Sequence, residues 1–201
     1  MFAHRGVHKQ GQNENTLSSF QKALTKMDGF ECDVRLSSDK VPVVIHDETL
    51  KRTHNLSFRV NALTAHELRE LNVPSAKEVL SLPRLKGKRI ILDLKEHERL
   101  ICRLLSDSIN ACEGDVMLLS WSDRRPPTKH VVYRATDYRF SPPTTFDGIA
   151  CKFNGSAVNK GCIDRTLAKG ISVNMFAPKT EDQRIMINLY GSKCSYTVKT
   201  F

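Results

Sequence analysis

Five short motifs within the first 95 residues carry the side chains that polar chemistry needs: His4-Arg5-Gly6, Glu14-Asn15-Thr16, Glu31-Cys32-Asp33, His46-Asp47 and Asp93-Leu94-Lys95. Each lies at or just past an apolar run that reads as a strand. Side chains on a strand alternate between faces, so residues i and i+2 point the same way. Glu31 and Asp33 therefore share one face, with Phe30, Cys32 and Val34 on the other. Asp93 and Lys95 share a face in the same way, and the otherwise apolar strand Arg89 to Lys95 would have to bury a carboxylate and an ammonium. That is costly unless the groups are paired or bind a metal. Three carboxylates on one surface suit one hard divalent cation. Oxygen-only ligands select Mg²⁺ or Ca²⁺ over zinc, and no cysteine or histidine spacing here matches a closed zinc site.

The elements that must position these residues follow from hydrophobic periodicity. Apolar, β-branched runs recur at Phe30 to Leu36, Ile90 to Leu94, Val116 to Leu119, Gly148 to Cys151, Ile171 to Val173 and Tyr196 to Val198, with helical patterns between several of them. Strands alternating with helices predict a parallel sheet. Leu17, Phe20, Leu24 and Met27 fall on one helical face, and Ile101, Leu104, Leu105 and Ile109 on another. Thr64 with Glu67, Ser75 with Glu78, and Thr180 with Gln183 match capping boxes and predict three helix starts. Asn15 is placed as a supporting residue beside the site, or simply as a cap for the helix beginning at Thr16. The turn Ser37-Ser38-Asp39-Lys40 would fold Val41 to Ile45 back beside Phe30 to Leu36, carrying His46 toward the carboxylate pair.

With these motifs in view, the chain resembles glycerophosphodiester phosphodiesterases: His-Arg-Gly, Glu-Asn-Thr, Glu-x-Asp, Val-Val-x-His-Asp and Leu-x-Arg-Thr run densely over residues 3 to 53. The likeness thins through Val73-Pro74-Ser75 and Leu92-Asp93-Leu94-Lys95, and after Trp121 only a pattern of elements remains. More distantly it is similar to sphingomyelinase D type phospholipases, which share the aspartate at the position of Asp93. The resemblance implies a single domain over residues 1–201. Its fold would be a (β/α)₈ TIM barrel with the site at the C-terminal strand ends. At 201 residues the barrel would be trimmed, with reduced or missing helices in the C-terminal half and a short insertion after the second strand. Arg124-Arg125-Pro126-Pro127 and Ser141-Pro142-Pro143-Thr144-Thr145 leave little room for helices. It further implies that His4 acts as base and His46 as acid, through a cyclic phosphate. Glu31, Asp33 and Asp93 would hold the metal, Arg5 and Lys95 would neutralise the phosphoryl group, and Glu14 would be a supporting carboxylate that orients Arg5 or closes the first loop. An aromatic that the family carries on a strand near the C-terminus is replaced by Val173-Asn174-Met175-Phe176-Ala177, which leaves Trp121 as the candidate wall of the pocket.

The expected activity is metal-dependent release of glycerol 3-phosphate and an alcohol from a glycerophosphodiester. Two other readings stay open: a lysophospholipase D or sphingomyelinase D type lipid phosphodiesterase, and an inactive phosphate-binding module. The net charge of +9 admits weak association with an anionic surface, but basic residues are spread along the chain without interleaved aromatics, so no nucleic-acid partner is expected. No apolar stretch approaches the ~20 residues of a membrane span and no leader precedes His4, so a cytoplasmic chain with free thiols at its six cysteines is expected. Self-association could cover flanks that a trimmed barrel leaves bare.

Overall fold

Strand β1 (Phe2–His4) pairs in parallel with β2 (Gly29–Leu36) on one side and β9 (Cys194–Val198) on the other, and this double pairing closes a ring. The remaining ring strands are β4 (Arg89–Leu94), β5 (Asp115–Ser120), β6 (Val131–Thr136), β7 (Gly148–Lys152) and β8 (Ser172–Phe176), each parallel to its neighbour. The fold is a (β/α)₈ barrel. This computed structural model describes residues 1–9, 13–136, 145–152, 157–176, 183, 187 and 194–198.

Period-two alternation sorts each strand into an outward and an inward row. Outward Phe30, Cys32, Val34, Ile90, Leu92, Leu94 and Leu118 form the main core with α1 (Leu17–Lys26), α4 (Ala76–Leu80) and α5 (Glu98–Ala111). Phe20 of α1 stacks on Phe30 with centroids 4.4 Å apart. Inward Phe2, Ile91, Met117, Leu119, Ala135 and Ala150, with Tyr133 and Phe176, plug the barrel. Gly148 lies directly under the Tyr133 ring: a Cβ there would come within 2.5 Å of it, so only glycine leaves the ring its space. A smaller cluster packs α6 (Ala157–Ala168) on β7 and β8 through Ile163, Ile149 and Val173.

The turn after β2 produces the hairpin expected from Ser37 to Lys40: β3 (Pro42–Val44) runs antiparallel to β2, with Val34 opposite Val44. The insertion that follows holds α2 (Lys51–His54) and α3 (Ala65–Glu70) over a small core of Val43, Ile45, Leu50, Val60 and Leu68. Capping boxes at Thr64 and Ser75 start α3 and α4. The one expected at Thr180 and the segment 141–144 lie outside the described residues. Residues 121–130 contain no helix and lead straight into β6.

Three details differ from expectation. Leu104 is 42% exposed although Ile101, Leu105 and Ile109 are buried: its helical neighbours Asp107, Ser108 and Ala111 line an open hollow against α4. Strand β6 is absent from the apolar runs, since outward Arg134 and inward Tyr133 interrupt its pattern. Thr16, not Asn15, caps α1: its side chain accepts from Ser19 N–H while the Ser19 hydroxyl accepts from the Thr16 N–H.

Candidate active site

The register of the barrel brings the carboxylates together. His4 ends β1 and is the cross-strand partner of Glu31, and Asp93, next to last in β4, is that of Asp33, Glu31 and Asp33 being the third and fifth residues of β2. Glu31, Asp33 and Asp93 are buried and each offers an oxygen within 4.8 Å of the others. His4 Nε2 lies 3.9 Å from Glu31 Oε2.

Two cations serve these three acids. Lys95 Nζ sits 2.6 Å from Asp93 Oδ2 and 3.0 Å from Asp33 Oδ1. Arg5 Nε sits 3.2 Å from Asp33 Oδ2, and the Arg5 N–H donates to Glu31 Oε2 at 3.0 Å. Asn15 bridges to Asp33 twice, donating from Nδ2 to Oδ2 at 2.8 Å and accepting the Asp33 N–H at 3.3 Å. The protonation states follow from this unequal sharing. Burial works against ionised Asp33, but Lys95 and Arg5 overcome it and hold the carboxyl down at about 2. Burial, and then the charges of Asp33 and Asp93, push Glu31 well above the ordinary range. Burial likewise raises Asp93. Lys95 is raised: the adjacent aspartates outweigh its burial.

The His-Arg-Gly loop is held in shape by α1. Arg5 and Gly6 both have positive φ, +57° and +79°, and the Arg5 carbonyl accepts from Asn15 N–H at 3.0 Å. A Cβ on Gly6 would meet the Ser19 hydroxyl at 2.3 Å, so the loop can lie against the helix only with glycine there.

A second network, invisible as a spacing pattern, joins the two histidine loops. Arg5 Nη1 donates to Glu14 Oε1 at 3.0 Å, and Arg52 of α2 clasps Glu14 with two bonds of 2.6 and 3.1 Å. Arg52 Nε donates to Asp47 Oδ2 at 2.6 Å, and Asp47 Oδ1 lies 2.5 Å from His46 Nδ1. Burial opposes the charge on Asp47, but Arg52 and His46 keep its carboxyl low, so it is an acceptor and the proton belongs on His46 Nδ1. That leaves His46 Nε2 as the free nitrogen of the ring. Arg35 adds a tether, donating to the His46 carbonyl at 2.8 Å and to Glu96 at 3.0 Å. The only sequence signal for Arg52 is its place in Leu50-Lys51-Arg52-Thr53; Arg35 and Glu96 carry none.

Trp121, after β5, donates from Nε1 to Asp93 Oδ1 at 2.8 Å and meets the Phe176 ring edge-on at 6.4 Å. Phe176 thus supplies an aromatic at the end of β8. Glu98 fixes the Trp121 backbone by accepting its N–H at 2.9 Å and the Ser120 hydroxyl at 2.6 Å.

Three acids, the histidines, arginine and lysine therefore meet at one mouth of the barrel, and residues 4–122 match the model of the glycerophosphoryl diester phosphodiesterase family. The chain belongs to this family. A glycerophosphodiester phosphodiesterase of Bacillus altitudinis is 38% identical over 96 residues, 41% of this chain and 39% of that protein. Glycerophosphodiester phosphodiesterase 1 of Mus musculus is 32% identical over 111 residues, 47% of this chain and 33% of its own length. The matched part thus spans well under half of these curated relatives. Among solved structures, the glycerophosphodiester phosphodiesterase of Thermotoga maritima superposes with a TM-score of 0.79 at 20% identity, covering 98% of this chain and 92% of that one. A phosphodiesterase of Oleispira antarctica, solved with the product sn-glycerol-3-phosphate, gives 0.75 at 19% identity over 98% and 91%. At these identities the two structures share the glycerophosphodiester phosphodiesterase fold with this chain.

Proposed function

We propose that this protein is a metal-dependent glycerophosphodiester phosphodiesterase that releases glycerol 3-phosphate and an alcohol. The observation that carries this reading is the buried triad Glu31, Asp33 and Asp93, whose oxygens converge within 4.8 Å beside His4, Arg5 and Lys95. An all-oxygen donor set with one carboxylate more than its cations fits a hard divalent ion, Mg²⁺ or Ca²⁺. When bound, such an ion supplies Lewis-acid stabilisation of charge on a phosphoryl oxygen.

In this reading His4 takes the proton of the glycerol hydroxyl next to the phosphate. The hydroxyl oxygen bonds to phosphorus, the bond to the alcohol breaks, and His46, carrying a second proton on Nε2 besides the one that Asp47 holds on Nδ1, gives that second proton to the departing alkoxide. A cyclic glycerol phosphate remains. Water then opens it with the two histidines exchanging roles. Arg5 and Lys95 stabilise the negative charge that grows on the phosphoryl oxygens, Arg5 through its fork and Lys95 as a point charge. Glu14 holds Arg5 in line, and Asp47, clasped by Arg52, fixes the tautomer of His46.

The Trp121–Phe176 pair favours a second substrate class, lysophospholipids, because an apolar wall at the mouth suits an acyl chain. Purified protein should release glycerol 3-phosphate from glycerophosphocholine only after Mg²⁺ or Ca²⁺ is restored to a chelated sample, and His4→Ala and Glu31→Gln should each abolish release. No product from glycerophosphocholine or lysophosphatidylcholine would leave a phosphate-binding module as the reading to adopt.

A further inference from the structure

The flank of α5 carries a basic trough that the chemistry at the mouth does not use. Because no helix follows β5, residues 121–130 lie as irregular chain beside α5. Two hollows of about 740 and 600 Å³ open between them and share Arg99, Leu100 and Pro127. Arg124 and Arg125 line the end near Ser122, just past Trp121 at the barrel mouth, while Arg103 and Lys129 line the other.

Arg125 is consumed in holding the segment, donating to the Thr128 and His130 carbonyls and to Asp147 at 2.7, 3.0 and 2.9 Å. Arg99, Arg103, Arg124 and Lys129 are exposed, and none of them forms an ion pair among the described residues. Three nearby acids are neutralised, Glu96 by Arg35, Asp123 by Arg134 and Asp147 by Arg125, while Glu98, which accepts from Ser120 and Trp121, keeps its charge beside the trough. Asp107 of α5 lines a separate hollow against α4. Four cations without an ion pair thus face one trough, against the single charge of Glu98, and beside its end stands one exposed apolar side chain, Trp121, at 46%.

We infer that this flank docks on an anionic lipid surface and holds the barrel mouth against it. Clustered cations beside an exposed aromatic are a composition that binds anionic membranes, with Trp121 at the boundary between headgroups and acyl chains. A single nucleic-acid strand would need aromatics spaced along the trough, and Trp121 stands at one end. Each basic side chain near such a surface adds about fivefold to binding, so three together contribute about a hundredfold. The inference is independent of the catalytic reading.

The test is co-sedimentation with vesicles of phosphatidylcholine alone or mixed with phosphatidylglycerol. The protein should pellet with the mixed vesicles only, and added salt should release it. The triple variant Arg103→Gln/Arg124→Gln/Lys129→Gln should bind about a hundredfold more weakly. It should keep its thermal melt and its hydrolysis of a water-soluble diester. The control Lys22→Gln/Lys26→Gln/Lys77→Gln, which removes the same charge from exposed sites elsewhere, should bind like the unaltered protein. Equal loss in both variants would overturn the inference, because net charge alone would then explain binding. So would equal pelleting with pure phosphatidylcholine, no pelleting at all, or displacement from mixed vesicles by an acidic peptide at low salt.

Discussion

Replacing Glu31 with glutamine should make the metal-free protein more stable and remove its stabilisation by Mg²⁺. Three buried carboxylates share two cationic partners, Lys95 and Arg5, and Glu31 is the one left short. Burial and the adjacent aspartates raise its carboxyl well above the ordinary range. The sign follows from proton counting. Below the unfolded value of about 4.5 Glu31 is neutral in both states and costs nothing. As pH rises beyond it, the unfolded chain ionises while the folded protein keeps the proton, so folding stability falls with pH until the folded value is passed. Glutamine escapes this penalty, and its amide oxygen can still accept the Arg5 N–H now donated to Glu31 at 3.0 Å. A cation restores the balance differently. At a hundred times its dissociation constant it adds about 2.7 kcal/mol, which for a chain of this size raises Tm by about 5–10 °C. Thermal melts in chelator and in Mg²⁺ or Ca²⁺, at pH 5 and pH 8, separate the two effects. A variant that melts lower than the parent in chelator and still rises with Mg²⁺ would refute the reasoning, since Glu31 would then be a structural partner of Arg5 and no metal ligand.

Arg52→Gln should lower stability by about 1–3 kcal/mol, read from the urea midpoint, because it removes charge-assisted bonds from half-buried Glu14 and from Asp47. It should also shift the acid limb of the kcat pH profile, and Arg52→Lys should recover part of each; a stability loss with an unaltered profile would make the clasp purely architectural. Asp33 has its carboxyl held at about 2 by Lys95 and Arg5 against burial, so its contribution is full above the ordinary value of about 3.8 and fades as pH falls through the folded one. Acid titration of the unaltered chain and of Asp33→Asn should therefore show their stabilities converging toward pH 2. Gly148→Ala, which sets a methyl within 2.5 Å of the Tyr133 ring, should cost about 1–3 kcal/mol in chemical denaturation, and adding Tyr133→Val should recover most of it.

How legible the site was depended on how local its causes are. Strand periodicity alone put Glu31 with Asp33 and Asp93 with Lys95, since a two-residue repeat leaves no freedom of face. The hairpin after Leu36 and the capping boxes at Thr64 and Ser75 were equally local, each written in four residues. Pro126 and Pro127 announced the missing helix. The exposure of Leu104 was harder to read: helical spacing places it beside Ile101 and Leu105, but only the tertiary structure shows that its side of α5, toward α4, is left open. Asn15 looked like a cap because its type suits one, yet Asp33, 18 residues away, competes for the same side chain and wins with two hydrogen bonds. Arg52, Arg35 and Glu96 act across separations of 5 to 61 residues, and no periodicity encodes such partners.

The distribution of the site around the ring explains which parts of the barrel could be reduced. The proposed site residues sit on β1, β2, β4 and β5, four strands adjacent in the ring, on the loops that leave them and, for His46, just past the hairpin strand β3 that pairs with β2. Their geometry must be held closely, and α1, α4 and α5 pack the outer faces of those strands into the largest core. The strands β6 to β9 face a different demand. They must complete the hydrogen-bonded ring so that β1 is fixed from both sides, because an edge at β1 would leave His4 on a strand paired through only two residues with β2. Pairing is a backbone property and tolerates wide changes of side chain. Helices outside strands that carry none of the acid, base, phosphate or metal residues can therefore be shortened at little cost to the chemistry, provided the interior plug of Tyr133, Ala135, Ala150 and Phe176 keeps the ring from collapsing. The missing helix after β5 falls at the junction of these two regimes. There Glu98 of α5 substitutes for it, gripping Ser120 and Trp121 so that the last site strand ends in a fixed place without a helix of its own.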